Sequence, residues 1–506
     1  MRFPISVLTA IGLSRIGAAV PHHVLSDSAQ QPLASPIEQS GDQGAHLFSL
    51  RKHAEDADIC VAGSKQYTGT ISVSEEKKLF FWFFESRRNP SADPVVIWLN
   101  GGPGGSSMFG LFREVGPCQT NEYNNGTVFN KHSWTEFSNV LFIDQPAGVG
   151  FSTIRNGSTG GPDNILETSA DFDRFLAIFF QDVFPEYSTH DLHIAGESFG
   201  GKYVPGITHY ISQRQQMGAD VMPVPIRSII LVDAVIDMLT SGVLGYYDHF
   251  CAVGDDGKPL KENGFNETAC SALEEATPEC ERLVASCRDT YDPNICEAAS
   301  AFCNERLGNW HYWDVYKGGR DPYDDRKKCV KPPLCEAFTG EGSYSSYLNR
   351  TDVKEALGFR KDFEFTGINE DINTRWEKSK DMHVPSTREV SFILDKTPTR
   401  LLVINGNNDP IVNTEGQKRA YDHLPWRRQA AFRLHQFKDW TWPDEEGKLT
   451  VGGQFKTAND STVANKLSFF TVDEAGHASP GDQMEAITWL MKCWTDKAGS
   501  DARCPV

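Results

Sequence analysis

Short apolar runs punctuate the chain, and several of the segments between them carry a helical period. The runs at 79–85, 95–99, 140–143, 192–195, 229–232, 400–404 and 466–472 are rich in Val, Ile, Leu and Phe, and most are followed at once by Asn, Asp or Gly. Runs that are apolar throughout, without alternation, fit strands buried on both faces. Residues 166–184, 202–215 and 484–494 read as helices; in the second of these the only interior breakers are Pro205 and Gly206. Strands alternating with helices predict an α/β protein, in which a mostly parallel central sheet is covered by helices on both faces.

Chemistry collects just past the ends of these strands. The run at 192–195 leads into Gly196-Glu197-Ser198-Phe199-Gly200, the sole Gly-x-Ser-x-Gly of the chain. On a strand-to-helix turn such a serine is held on a tight bend with its hydroxyl exposed above the sheet. A nucleophile of this kind needs an acid and then a histidine further along the chain. Asp409 follows the run at 400–404, and His477 follows the run at 466–472. Taken singly, Asp409 reads equally well as a turn residue before Pro410, and His477 as a loop residue; their shared order and position favour a triad. The run at 95–99 empties into Asn100-Gly101-Gly102-Pro103-Gly104-Gly105-Ser106-Ser107. Bare glycine backbone there can offer amide donors to an oxyanion. A phosphate cradle is the rival reading, but the loop lacks a Gly-Lys-Ser/Thr ending.

These segments together resemble the serine carboxypeptidases, acid-active exopeptidases on the α/β-hydrolase fold. The likeness extends from about residue 67 to about residue 489. It is carried by Trp98 to Gly104, by Asn139 to Ser152, by Gly196 to Pro205 and by Gly476-His477. The segment Leu79 to Ser86 is similar to a fungal secreted subgroup, the carboxypeptidase S1-like enzymes. The resemblance implies that Ser198 is the nucleophile, His477 the general base and then acid, and Asp409 the group that orients the imidazole. It implies an oxyanion hole from the amides of Gly102 and Phe199. It also implies a site for the substrate's terminal carboxylate at Asn100, Gly101, Glu114 and Glu197. Two acids can face an anion only when protonated, which like charge and partial burial favour. The bland alternative for Glu114 is a solvated helix residue beside Arg113.

Some positions depart from the family pattern. Gly105 stands where many members have a cysteine, and Phe363 to Gly367 lacks the expected partner. Val412 replaces a cysteine found in some members, Ala478 replaces a common Met, and Asn407 a common Asp. Val232 to Asp237 replaces a Gly-Asn-Gly-containing loop end. These differences bear on substrate preference more than on the reaction.

The chain has twelve cysteines, eight of them between Cys251 and Cys335. Spacing alone does not fix connectivity. The resemblance implies Cys280–Cys303 with Cys287–Cys296 nested inside, Cys329–Cys335, and Cys251–Cys270. Cys60–Cys118 and Cys493–Cys504 are then the expected remainder, a pairing the sequence leaves open. Metal binding competes for cysteine-dense segments, but no Cys-x-x-Cys occurs, and His190/His193 is a weak ligand pair. No metal or other cofactor is expected. Residues 246–340 read as a disulfide-stapled helical cap inserted within one catalytic domain, 59–506.

Residues 1–19, with Met1-Arg2, an apolar stretch and Gly17-Ala18-Ala19, read as a signal peptide. Residues 20–58, rich in Ser, Gln, Pro and His, read as a flexible leader or pro-segment with a dibasic Arg51-Lys52. Asn125, Asn156, Asn266, Asn349 and Asn459 head Asn-x-Ser/Thr sites, which in a secreted chain predict glycosylation. Secretion is the expected destination, with a vacuole as the alternative. The net charge of −19 opposes nucleic-acid binding, and no run is long enough to anchor the chain stably in a membrane. The expected partners are peptides with a free C-terminus; an acyltransferase or esterase on the same fold is the alternative.

Overall fold

The computed structural model describes residues 47–57, 59–155, 161–218, 222, 224–254, 258–261, 264–310, 319–330, 335, 344–459, 463–496 and 503–505. The expected signal peptide and the leader as far as residue 46 lie outside them.

A twelve-stranded sheet forms the centre. Its strands are β1 (Phe48–His53), β2 (Gln66–Ser72), β3 (Lys77–Phe84), β4 (Val95–Leu99), β5 (Asn139–Ile143), β6 (Leu192–Glu197) and β7 (Ile226–Val232). After a two-stranded hairpin in the cap, β8 (Arg320–Asp321) and β9 (Asp324–Lys328), come β10 (Arg400–Gly406), β11 (Lys438–Pro443), β12 (Leu449–Ala458) and β13 (Leu467–Val472). The sheet order is β1-β2-β3-β5-β4-β6-β7-β10-β13-β12-β11, with the short Thr153–Ile154 strand beside β3. The six strands from β5 to β13 in this order run parallel, and antiparallel strands flank them on both sides. Every residue of β4, β5 and β6 is buried, which is why these strands are apolar without alternation.

Helices α2 (Ile165–Ile178), α3 (Gly200–Gln216) and α7 (Thr387–Lys396) cover one face; α1 (Met108–Arg113) and α8 (Met484–Thr495) cover the other. Helix α3 accommodates Pro205 because the carbonyl it leaves unbonded, that of Gly201, accepts the Ser386 hydroxyl at 2.7 Å. Between β7 and β10 lies the cap, built on α4 (Tyr246–Cys251), α5 (Glu267–Thr290) and α6 (Pro293–Cys303) with its own core. Asn266 and Asp292 cap α5 and α6 with side-chain oxygens. The disulfides are Cys60–Cys118, Cys251–Cys270, Cys280–Cys303, Cys287–Cys296, Cys329–Cys335 and Cys493–Cys504.

Part of the segment 20–58 expected as a flexible leader is built into the sheet. Phe48–His53 is an edge strand, paired residue for residue with β2 from Ile71 to Gln66. Arg51-Lys52 therefore sits inside a hydrogen-bonded ladder rather than on an open processing segment. The sheet also extends past the expected strands at both edges, with β1 and β2 on one side and β11 and β12 on the other.

Candidate active site

Strand β6 ends at Glu197, and the chain turns at Ser198 with φ 57°, a left-handed conformation costly for a residue with a Cβ. Hydrogen bonds hold it there. The Ser198 amide donates to Val232 O at 3.1 Å, and its carbonyl accepts from Val235 at 2.9 Å and Gly201 at 3.0 Å. The bend is thus fastened to the loop leaving β7, while α3 starts two residues on. The glycine loop after β4 lies against this turn: a Cβ on Gly101 would be 2.4 Å from the Phe199 nitrogen. Gly102 adopts φ 113°, open to glycine alone among common residues. Among the described residues neither the Gly102 nor the Phe199 amide has a protein acceptor. Lys202, buried beneath the turn, donates to the carbonyls of Asp381 and Val384, and burial lowers its pKa to about 8.

His477 and Asp409 come from the loops after β13 and β10. The two side chains meet at 2.7 Å between Nδ1 and Oδ2, and both are buried. Burial alone would lower the imidazole pKa, but the Asp409 carboxylate outweighs it and the net shift is upward. Asp409 is itself raised by burial, with His477 opposing. Val412 N donates to Asp409 Oδ1 at 2.9 Å, so the second oxygen is satisfied too. Ser198 and His477 line one cleft of about 710 Å³, measured with its open mouth, together with Gly102, Phe199, Asn100 and Glu197.

Asp233, noticed in the sequence only as part of an unusual loop end, proves central. It is fully buried, accepts Gly406 N at 2.7 Å and Ser479 N at 3.1 Å, and so ties the acid-bearing loop to the histidine-bearing one. Burial and the neighbouring Asp409 push its pKa up. An Asp after an apolar run reads as a turn signal; its role emerges only where three loops converge.

Glu114 is 1 % exposed and Glu197 2 %, which removes the reading of Glu114 as a solvated helix residue. The Asn100 amide donates to Glu197, and Asn100 Oδ1 is fixed by Trp98 Nε1 and Gly110 N, each at 2.9 Å. Among the described residues neither buried Glu114 oxygen has a hydrogen-bond partner, although Glu197 and Asn100 lie beside them. Burial, followed by repulsion from Glu114, holds the Glu197 carboxyl well above the usual range. Burial raises Glu114 to about 7 against the opposing pull of Glu197, His477 and Asn100. Both carboxyls are therefore held protonated in acid, and their titrations are coupled.

At Gly105, where the resemblance implies a cysteine in many relatives, backbone pairing joins the two segments. Gly105 bridges to Ile368, Ser106 N donates to Gly367 O, and Asn369 N donates to Gly104 O, the last two at 2.9 Å. Val412 lines the cleft, whereas Ala478 packs on the core below it. Asn407 donates to Asp473 at 2.6 Å, fastening the acid loop to the end of β13.

Among the expected glycosylation positions, Asn156 lies outside the described residues. Asn125 is exposed; Asn266 and Asn459 use their side-chain oxygens in local hydrogen bonds. Asn349 differs: its amide nitrogen donates to Ser345 O at 3.0 Å and Phe365 O at 2.8 Å, and its oxygen accepts Phe365 N. Glycosylation of that nitrogen would break an ordered polar junction. Glycopeptide mapping should find Asn349 unmodified even in protein glycosylated elsewhere; occupancy there above a few per cent of molecules would contradict this. His193 bonds Ser228 inside the sheet, and His190 packs on Tyr187. Among the described residues His132, Glu445 and Glu485 bring ligand-type atoms within 4.8 Å, but the Lys131 ammonium already sits on Glu445.

The sequence profile of the serine carboxypeptidases matches residues 59–497. Carboxypeptidase Y homolog A of Talaromyces stipitatus is 35% identical over 467 residues, covering 90% of this chain and 78% of that protein. Its counterpart in Aspergillus fumigatus is 34% identical over 461 residues, covering 90% and 79%. Among solved structures, Kex1(delta)p, a prohormone-processing carboxypeptidase from Saccharomyces cerevisiae, superposes with a TM-score of 0.66 at 21% identity, covering 87% of this chain and 94% of that one. That likeness is one of fold, and the fold is the α/β-hydrolase one. With a family match over most of its length and fungal relatives at this identity, the chain belongs to the serine carboxypeptidase family and is a peptide hydrolase.

Proposed function

We propose that Ser198, His477 and Asp409 form the catalytic triad of an acid-active, secreted serine carboxypeptidase, and that Asn100, Gly101, Glu114 and Glu197 bind the terminal carboxylate of its substrate. Ser198 Oγ attacks the scissile carbonyl as His477 takes its proton. The oxyanion of the tetrahedral intermediate is held by the Gly102 and Phe199 amides, whose N–H groups have no described protein acceptor. The C–N bond then breaks, and His477 passes the proton to the departing amino acid. Water repeats the sequence on the acyl-enzyme, freeing Ser198.

The observation that carries this reading is the buried Glu197 lining the Ser198 cleft, with Glu114 buried beside it. A protonated carboxyl pair beside an asparagine amide can donate to a carboxylate at acid pH, and an acyl donor lacking that carboxylate would have no use for it. This disfavours the acyltransferase alternative. No helix among the described residues is long and apolar enough to cross a membrane. Secretion, an N-terminal signal peptide and surface glycans follow from the sequence, with a vacuolar destination as the alternative.

The test is a blocked dipeptide incubated with the enzyme between about pH 4 and pH 8. Release of the free C-terminal amino acid, abolished by prior organophosphonate labelling at Ser198, is the expected result. Hydrolysis of simple esters with no release of amino acids would overturn the assignment.

A further inference from the structure

The cap contributes more than a cover. Its hairpin β8–β9 reaches both loops that carry the acid and the base. At the turn, Tyr323 O accepts the backbone N–H of His477 itself at 2.7 Å, and the Tyr323 ring lies 5.5 Å from the imidazole. Two residues on, Asp325 N donates to Asn408 O at 3.0 Å, and Asn408 Nδ2 donates back to Asp325 Oδ1 at 2.9 Å. Asn408 is the residue before Asp409. The other Asp325 oxygen accepts His249 Nε2 from α4 at 2.9 Å and the Lys261 ammonium, which also donates to Asn407 O at 3.0 Å. Arg326 closes the clamp by pairing with Glu474 at 3.3 Å and Asp482 at 3.1 Å, and Asp482 accepts Gly476 N at 2.8 Å.

Asp325 and His249 are buried, so this is an interior junction rather than a surface ion pair. Burial alone would raise the Asp325 pKa; His249 and Lys261 reverse that and keep it ionised. Arg320 anchors the base of the hairpin, with its guanidinium over the rings of Phe250 and Phe265 at 4.6 and 5.1 Å. The Cys329–Cys335 disulfide follows directly.

We propose that the β8–β9 hairpin is part of the catalytic framework and that Asp325 is a positioning residue, holding Asn408 so that Asp409 meets His477 in register. The proposal rests on the triad reading above. Asp325 touches neither substrate nor reacting atoms. It acts by joining a cap element to the acid loop at the same place where Tyr323 holds the histidine loop. Misplacing a catalytic group by about 1 Å costs on the order of 100-fold in rate, so a tie at this point has large leverage.

The test compares Asp325→Ala, Asn408→Ala and the double variant in the full-length enzyme. Asn408→Ala leaves the Asp325–His249–Lys261 cluster intact and removes only the side-chain tie, so it remains informative if Asp325→Ala folds poorly. Each single variant should lower kcat for a blocked dipeptide and for its ester by about 10- to 100-fold, with KM within about twofold of wild type. Organophosphonate inactivation at Ser198 should slow by the same factor, and the double variant should be no worse than the poorer single one, because both changes remove one interaction. Folded variants with kcat and inactivation rate within about twofold of wild type would overturn the proposal. So would a rise in KM at constant kcat, which would make the hairpin a substrate wall. If wild-type labelling falls on a residue other than Ser198, the triad reading fails instead, and that result is distinct.

Discussion

Replacing Ser198 with alanine should lower kcat/KM for peptides by about 10⁴- to 10⁶-fold and abolish organophosphonate labelling. The thermal unfolding midpoint should hardly move. The reason lies in how the turn is held: its hydrogen bonds to Val232, Val235 and Gly201 are all made by backbone, and the side chain faces the cleft. Alanine keeps every one of them, and its Cβ occupies the same left-handed position at φ 57° that serine already tolerates. Retention of more than about one per cent of wild-type turnover in a folded variant would remove Ser198 from the mechanism, since loss of a triad nucleophile costs many decades in rate.

The interior of the sheet was legible because burial on both faces leaves no choice of residue. Leu79 to Phe84 is apolar because it forms the buried part of β3. The edges were not. Phe48–His53 mixes Leu and Phe with Arg, Lys and His, and all of its residues keep some exposure, so no continuous apolar run marks it. β11 and β12 mix exposed and buried positions at one flank of the sheet, and a strand with polar residues at half its positions reads as loop. The residues of the proposed triad stand out in the sequence because each follows a recognisable strand in a fixed order. Asp233 and Asp325 do not. Asp325 stands in Asp324-Asp325-Arg326-Lys327-Lys328, which as sequence is a solvated charge run. Only the tertiary meeting of the cap with Asn408, His249 and Lys261 turns it into a buried junction.

Peptide affinity should fall as pH rises, and the fall should belong to the free carboxylate of the substrate. Burial raises Glu114 to about 7 and holds Glu197 well above the usual carboxyl range, so in acid the pair is protonated and able to donate to a bound carboxylate. Raised folded-state values also mean that the pair's contribution to stability is present in acid and lost as pH rises through about 7. His477 works in the opposite sense, because only its neutral form accepts the Ser198 proton. Its acid limb is raised mainly by Asp409, then by Asp233 and Glu114, and it moves down when those carboxyls are neutral. A C-terminal amide carries no charge to be repelled, so its turnover should persist toward alkaline pH after peptide turnover has declined. Glu114→Gln combined with Glu197→Gln should raise KM for free-acid peptides at acid pH by about tenfold or more, the worth of a hydrogen bond to a charged group. The same variant should flatten the alkaline decline, because nothing in the pair is left to ionise. Amide substrates should respond little to the double change. Matching pH profiles of kcat/KM for free-acid peptides and their amides in the wild-type enzyme would show that these acids do not capture the carboxylate. The cleft would then serve a general esterase or acyltransferase in which the buried pair has only a structural part.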